Sequence, residues 1–316
     1  MSSEWIQTLK GAVAIEALGL ILPHEHLFTD LRGPTVPGYA QAEPATVARV
    51  LEPYLAAAQA VGVTALVECS TVGVGRNISV LQHVAQLTPI HIVAPTGVYR
   101  QEFMPASFRQ ASAEQLTQAW VGELSEGIDG TPARAGFIKL SVSDDGPTPL
   151  EIRNLIAATQ ASQQTGAAIA SHTPSGALAL RQMEILEAAG LDLARFIWAH
   201  ANLEPDAAMH LEAARRGAYV EFDAVGASWQ PQTAMVDHVL ALIQADQADR
   251  VLLSHDAGWY DPSRPDGQPE AGGIRGYTAL VEDFLPALRA RGVAAELVRL
   301  ITEVNPARAF ALPDQS

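Results

Sequence analysis

Short apolar runs alternate with longer stretches of helical periodicity along most of the chain. The apolar runs predict eight strands, at residues 18–23, 63–68, 90–95, 136–140, 167–171, 195–199, 218–222 and 250–254. Each run is largely apolar throughout rather than at alternate positions, which is typical of parallel strands buried on both faces. Eight strand–helix units predict a (β/α)8 TIM barrel in a single domain over residues 1–316, with its active site at the C-terminal ends of the strands. An open doubly wound sheet is the alternative fold.

Apolar residues at helical spacing predict the elements between the strands. The expected helices cover residues 44–60, 77–85, 113–126, 149–165, 176–189, 205–216, 231–244, 276–289 and 294–303. Pro44 suits a first helical turn, and Gly166 suits the position after a last turn. A short N-terminal hairpin is expected at about residues 5–17. The loop at residues 258–273 is rich in Pro, Gly, Asp and Arg and follows the last strand, where a barrel enzyme carries a loop that covers substrate.

Composition narrows the range of partners and compartments. Of the 316 residues, 48% are hydrophobic and 17% are charged, and the formal net charge is −15. Such a surface repels polyanions, so we expect no nucleic-acid partner and a substrate that is neutral rather than a phosphate monoester. Cys69 is the only cysteine, which excludes an internal disulfide and suits a reducing compartment. The acidic N-terminus lacks a signal pattern, and the apolar run at residues 12–23 is too short to span a membrane. We therefore expect a cytoplasmic protein.

Metal-ligand side chains lie at or just after the C-terminal ends of five predicted strands. In a barrel these ends meet at one face. His24 and His26 are two residues apart on a segment predicted to be extended, so their side chains lie on the same side and can bind one ion together. The candidate metal ligands are His24, His26, Lys139, His172, His200 and Asp256.

A lysine at the end of a buried strand is the least expected member of this set. Burial disfavours the ammonium form of Lys139. A neutral amine can add carbon dioxide to become a carbamate, N6-carboxylysine, which is an anionic ligand with two oxygens. The alternative is an ordinary lysine that extends its head group to solvent from the strand end.

The ligand types suit zinc, with cobalt, manganese and iron as alternatives. They exceed what one tetrahedral ion needs and predict two divalent cations roughly 3.5–4 Å apart. One cation is expected to be held by His24, His26 and Asp256, and the other by His172 and His200, with the carbamate between them.

Two divalent cations predict a hydrolase mechanism. A hydroxide that bridges the two ions attacks the substrate, one ion polarises a carbonyl or phosphoryl oxygen, and Asp256 accepts the proton that the hydroxide leaves. Asp256 and Lys139 are therefore the candidate catalytic residues. Tyr99 and Trp259 also follow strands and are candidate substrate contacts, with a packing role as the alternative.

These residues occur in motifs that resemble the phosphotriesterase family of the amidohydrolase superfamily, which includes the phosphotriesterase-like lactonases. The resemblance covers nearly the whole chain and implies a (β/α)8 barrel, two metal ions, a carbamylated lysine and hydrolase activity, often in a homodimer. The matching motifs are Pro23-His24-Glu25-His26; Thr71, Gly75 and Arg76; Thr96-Gly97-Val98-Tyr99; Phe137-Ile138-Lys139; Ser171-His172-Thr173; Ala199-His200; Ser254-His255-Asp256; and Asn305-Pro306-Ala307-Arg308.

The sequence departs from the family in loops that select substrate. Ala201-Asn202-Leu203 replace the usual small polar and acidic residues, residues 222–228 lack the usual basic or ring residue, and Gln101 and Glu102 follow Tyr99 where lactonases often have a second aromatic residue. We expect hydrolysis of a lactone or another small neutral carboxylic ester, with side activity on phosphotriesters. The alternatives are an amide- or sugar-lactone-cleaving amidohydrolase and a non-catalytic metal-binding barrel.

Overall fold

The structure, a computed structural model, describes residues 4–269 and 273–313 and places strands at all eight predicted positions. The strands are β1 (Trp5–Thr8), β2 (Gly11–Ala14), β3 (Leu20–Phe28), β4 (Val63–Glu68), β5 (His91–Val93), β6 (Pro95–Val98), β7 (Phe137–Ser141), β8 (Ile169–His172), β9 (Phe196–Ala199), β10 (Tyr219–Phe222), β11 (Val251–Leu253) and β12 (Gly258–Tyr260). The helices are α1 (Pro44–Ala60), α2 (Ile78–Leu87), α3 (Ala106–Gln110), α4 (Ala113–Ser125), α5 (Pro149–Thr165), α6 (Gly176–Ala188), α7 (Ala207–Arg215), α8 (Gln232–Gln244), α9 (Leu285–Ala290), α10 (Ala295–Arg299) and α11 (Asn305–Phe310).

Strands β3 to β12 form a closed parallel barrel. Their order is β6 to β11 in one ladder and β12-β3-β4-β5 in the other. Strands β5 and β6 are two halves of one strand interrupted at Ala94, and β12 follows β11 after a short segment that contains Asp256. Closure comes from β12, which pairs with β3 in parallel through Gly258 and His26. The (β/α)8 prediction is therefore confirmed, and the open-sheet alternative is wrong.

Apolar side chains fill the barrel and close its lower end. Ile21, Val67 and Phe137 belong to a buried interior cluster that includes Ile6 of β1 and Phe310 of α11. The rings of Phe137 and Phe310 meet edge to face with centroids 5.2 Å apart. Because the antiparallel hairpin β1–β2 and the C-terminal helix cover this end, only the opposite end of the barrel remains open to substrate.

A register shift in β3 places the first pair of histidines. Leu22 is opposite Leu66 and Glu25 is opposite Glu68, so β3 gains one residue between these pairs. Pro23 lies in this irregular stretch, where a residue without an N–H group is tolerated. The sequence predicted that this strand ends at residue 23, which is wrong. The strand continues through the polar residues because their side chains find partners inside the protein.

Strand β6 approaches β7 closely beside Lys139. Gly97 has φ of +105°, and a Cβ atom at this position would collide with the carbonyl oxygen of Lys139. Gly97 is opposite Lys139 in the parallel ladder. The glycine is therefore needed for the spacing that presents the lysine to the barrel mouth.

The helix caps connect sequence signals to the loops around the barrel mouth. Gly166 caps α5 in the left-handed conformation, as predicted. At the other end of α5, Thr148 and Glu151 form a capping box. The Glu151 carboxylate also accepts a hydrogen bond of 2.9 Å from the N–H of Gln101. The first turn of α5 therefore anchors the loop after β6, close to Tyr99.

Three C-terminal predictions need correction. The helix predicted for residues 276–289 begins with a π-helical turn, Leu280–Phe284, that continues into α9. The helix predicted for residues 294–303 consists of α10 and a second π-helical turn, and the helical path then runs on through α11. Residues 258–260 of the predicted loop form β12, because they complete the pairing that closes the barrel, and residues 270–272 lie outside the described residues. Within the described ranges, no helix has the length and apolarity that crossing a lipid bilayer requires.

Candidate metal centre

A cavity of about 160 Å³ opens at the C-terminal ends of the barrel strands. All eight residues predicted to bind metal or substrate face it, although they come from distant parts of the sequence. Its remaining walls include Cys69, Leu31 and Val74, which are uncharged. The predicted residues in the lining are His24, His26, Tyr99, Lys139, His172, His200, Asp256 and Trp259.

His24, His26 and Asp256 form one compact ligand group. Their donor atoms lie within 4.8 Å of one another. The Asp256 Oδ1 atom is 2.9 Å from Nε2 of His26 and 3.7 Å from Nε2 of His24. Both histidines lie within β3 rather than after it, on the same side of the strand. This is the group that the sequence assigned to the first ion.

His172 and His200 lie on the other side of His24. His172 ends β8 and His200 follows β9, and their ring centroids are 4.3 Å apart. The ring of His200 is also 4.9 Å from that of His24. Burial, the nearby His200 ring and Lys139 together hold the pKa of His172 well below its ordinary value. The imidazole is therefore neutral, which is the form that binds a cation.

Lys139 lies beside His24 and close enough to His172 to lower its pKa. It is in the middle of β7, one residue further from the strand end than predicted, and its side chain is only 2% exposed. Its Nζ atom is 3.3 Å from Nε2 of His24. Among the described residues, no carboxylate oxygen lies within 4.0 Å of Nζ. This placement does not suit the alternative of a lysine that reaches solvent.

Asp223 orients two of the histidines and was not selected from the sequence. Its Oδ1 accepts from Nδ1 of His200 at 2.9 Å, and its Oδ2 lies 3.1 Å from Nδ1 of His24. The backbone N–H of His200 also donates to Asp223. A carboxylate that binds Nδ1 leaves Nε2 free for a cation and fixes the ring. Asp223 directly follows β10, so the strand-end rule that selected His200 could have found it.

Glu25 and His255 fix the segment that carries Asp256. Glu25 accepts hydrogen bonds from the backbone N–H groups of His255 and Ala257, both at 3.0 Å, and from Nδ1 of His255 at 2.6 Å. Nε2 of His255 accepts from the N–H of Leu280 at 2.9 Å. His255 is therefore a structural residue that joins the strand end to the following helix.

The charge of the site fits bound cations. Glu25, Glu68, Glu221 and Asp223 are all buried beneath the cavity, whose only lysine is Lys139. The Oε1 atom of Glu221 accepts no hydrogen bond and is buried without a partner among the described residues. An excess of buried carboxylates is costly unless cations compensate it. The donor set therefore suits divalent metal ions, and the donor types do not distinguish zinc from its neighbours.

Without metal, His26 of the first ligand group carries a proton that it donates to Asp256. Burial alone would lower the pKa of His26, but its hydrogen bond to the Asp256 carboxylate and the nearby negative charge of Glu68 raise the pKa to about 9. Burial alone would raise the pKa of Asp256, but His26 and the positive charge of the neighbouring histidines hold it well below its ordinary value. Below pH 9, a proton therefore occupies the space between His26 and Asp256 that a cation would enter.

We expect metal loading to release this proton and to become tighter as the pH rises from 6.5 to 9. The raised pKa of His26 stabilises the metal-free fold fully below its unfolded value of 6.5, and this contribution is lost as the pH rises through 9. Calorimetric titration of zinc into metal-free protein, in buffers of different ionisation enthalpy, measures the protons released. His83→Gln, in α2 and away from the site, is the control. Equal proton release at pH 7 and at pH 9.5 would contradict this assignment.

The two predicted substrate contacts both line the cavity, Tyr99 beside His172 and Trp259 beside His26. The Oη atom of Tyr99 is 3.2 Å from Nδ1 of His172, and burial raises the pKa of Tyr99 to about 12, so the hydroxyl keeps its proton. Trp259 lies in β12 with φ of +56°, and its ring meets His26 edge to face at 6.0 Å. Both side chains are placed to contact a molecule in the cavity.

Comparison with known proteins shows extensive similarity. The model of the phosphotriesterase family matches residues 4–310. A phosphotriesterase homology protein of Escherichia coli strain K12 is 32% identical over 306 residues, which cover 94% of this chain and 100% of that protein. An N-acetyltaurine hydrolase of Rattus norvegicus is 28% identical, with 95% of this chain and 96% of that protein covered.

A solved structure shares both the sequence and the fold. It is a mutant of a phosphotriesterase-like lactonase from Deinococcus radiodurans, 32% identical to this chain. The match has a TM-score of 0.85 and covers 96% of this chain and 99% of that one.

Proposed function

The chain belongs to the phosphotriesterase family, and we propose that it is a hydrolase that uses two divalent cations to open a small, uncharged lactone or to cleave another carboxylic ester. One observation carries this proposal: six potential ligands from five strand ends face one cavity whose other walls are uncharged. The similar lactonase from Deinococcus radiodurans supports the choice of substrate class.

We assign the ligands as the sequence suggested. His24, His26 and Asp256 would hold one cation and His172 and His200 the other, and Lys139 as a carbamate would supply a ligand to both. Two bound divalent cations supply a water activated near neutral pH and polarise the substrate oxygen. The carboxylates that occupy Nδ1 of His24 and His200 keep both Nε2 atoms directed into the cavity.

In the proposed reaction, Asp256 accepts a proton and Tyr99 donates a hydrogen bond. The low pKa of Asp256 keeps it ionised at neutral pH, so it can accept the proton of the attacking water. If Nε2 of His172 held a cation, its Nδ1–H would donate to the Tyr99 oxygen, and the Tyr99 O–H would then be free to donate to the substrate. Leu31 and Trp259 cover the cavity from the solvent side with apolar surface.

The cavity walls favour neutral substrates over anionic ones. Among the described residues that line the cavity, Lys139 is the only lysine or arginine. Arg100 lies near the rim, but Asp144 at 3.0 Å and Glu102 at 3.0 Å already neutralise it. The N-acetyltaurine hydrolase relative suggests an amide with an anionic tail as the second candidate substrate, and among the described residues no unpaired lysine or arginine side chain lines the cavity to bind that tail apart from Lys139.

The metal-loaded protein is expected to hydrolyse neutral lactones and aryl esters, to act more slowly on a neutral phosphotriester, and to leave N-acetyltaurine intact. The assay compares γ- and δ-lactones of increasing chain length, p-nitrophenyl esters, a dialkyl aryl phosphate and N-acetyltaurine. Protein treated with a chelator is the control and should be inactive until metal is restored. Turnover of N-acetyltaurine alone would favour the amidase alternative, and no turnover of any member would contradict the proposed function.

A further inference from the structure

Asp256 has a backbone conformation that its neighbours must hold in place. Its φ is +48°, in the left-handed region that a residue with a Cβ atom rarely adopts. Such a conformation persists only where the surrounding structure determines it, and it is frequent at functional sites. The contacts around residues 255–257 show which groups provide this support.

The N–H groups of this segment are bound by β3. The N–H groups of His255 and Ala257 donate to the two oxygens of Glu25, and the N–H of Asp256 donates to the carbonyl of His24 at 3.1 Å. The carbonyl of Ala257 accepts from the N–H of His26 at 2.9 Å. The strand that carries the first two metal ligands therefore holds one side of the segment.

Arg275 binds the two remaining carbonyls. Its guanidinium donates to the carbonyl of His255 at 2.6 Å and to that of Asp256 at 2.8 Å. It also donates to the carbonyl of Val225 at 3.1 Å, in the loop after β10. One side chain thus completes the hydrogen bonding of the Asp256 backbone and joins it to the neighbouring loop.

We propose that Arg275 is a positioning residue for Asp256. By binding the backbone carbonyls of the Asp256 segment, Arg275 sets the rate of proton transfer to Asp256 without contacting the substrate itself. The side chain of Asp256 is paired with histidines instead: Oδ1 lies near His24 and His26, and Oδ2 lies near His200. Loss of Arg275 leaves these pairings and the other ligands in place but frees the carbonyl side of the segment. The inference rests on the proposed function, because it assigns Asp256 the role of proton acceptor.

Arg275→Ala is expected to lower kcat by about 100-fold while the metal content stays at two ions per chain. The value of KM should change by less than about 3-fold, because the cavity walls are unaltered. Guanidinium ion, added far below denaturing concentrations, should restore much of kcat because it can occupy the vacated site. Arg275→Lys should recover only part of the rate, since an ammonium group lacks the planar fork that serves several carbonyls. Arg291→Ala is the control, because Arg291 pairs with the exposed Asp237 far from the site.

Two kinetic results would overturn the proposal. Either kcat is unchanged in Arg275→Ala, or kcat and metal content fall together and guanidinium restores neither. The visible absorption of cobalt-loaded protein gives a second readout that needs no turnover. Arg275→Ala should change the cobalt absorption bands, and added guanidinium should reverse that change. Identical bands in the wild type and in Arg275→Ala would refute the proposal, even if the wild type hydrolyses none of the test substrates. Wild-type turnover in the same series tests the proposed function separately.

Discussion

Replacing Lys139 with alanine is expected to remove bound metal and to lower turnover by about 1,000-fold or more. Lys139 Nζ is 3.3 Å from Nε2 of His24, and under the proposed function a carbamate formed there would be a ligand of both cations. Short carboxylic acids such as formate, acetate and propionate should restore part of the metal content and part of the activity. Each supplies two oxygens, and the missing side chain leaves space for a small acid but not for a large one.

The chain offers a matched control, since Lys10 and Lys139 are its only lysines. Lys10 extends from the N-terminal hairpin toward the carbonyls of Thr88 and Ile90, at the closed end of the barrel. Lys10→Ala should therefore keep its metal and its turnover. Incubation with ¹³C-bicarbonate should give a carbamate carbon signal in the wild type and in Lys10→Ala but none in Lys139→Ala. If no added acid restores metal or activity, Lys139 is an ordinary structural lysine.

Asp256→Asn is expected to lower kcat by about 100- to 10,000-fold, the range associated with loss of a general base, while most of the metal remains bound. The amide keeps an oxygen that can bind the cation, and His24 and His26 are unchanged. It cannot accept a proton at neutral pH, so the chemical step slows.

Two measurements separate the role of Asp256 as a metal ligand from its role as a proton acceptor. They are metal content by elemental analysis and kcat with the best substrate. Asp237→Asn, on the exposed side of α8, is the matched control and should match the wild type. A loss of metal as large as the loss of kcat would mean that Asp256 serves as a ligand only, and the proton acceptor would then be another group.

The barrel and the ligand set were accessible from the sequence because both depend on local patterns. Buried parallel strands are apolar along their whole length, so all eight were recognisable, and Pro44 and Gly166 mark helix ends through the backbone angles that they favour. Strand ends predicted which polar residues meet, because every strand of a parallel barrel points the same way. Among the candidate ligands that this rule selected, His24, Lys139, His200 and Asp256 all line one cavity.

The strand boundaries around the site were less predictable. Polar residues normally mark the end of a buried strand, yet β3 continues through His24, Glu25 and His26 because distant carboxylates and hydroxyls satisfy them. Strand β12 was also missed, because it exists only through its pairing with β3, and Gly258 has φ of +90° rather than the extended conformation that a strand pattern predicts. These contacts join residues separated by about 200 positions or more in several cases, and no local pattern encodes them.

The sequence by itself therefore determined the fold, the kinds of ligand and the face of the barrel on which they gather, because periodicity and strand direction are properties of the chain. Only the tertiary structure decided how each ligand is held. Asp223 binds two imidazoles, Glu25 binds the N–H groups of the Asp256 segment, and Arg275 binds three carbonyls, and these side chains come from separate parts of the chain. Hydrogen-bond geometry is fixed to within a few tenths of an ångström, and such precision arises only when the whole barrel has closed.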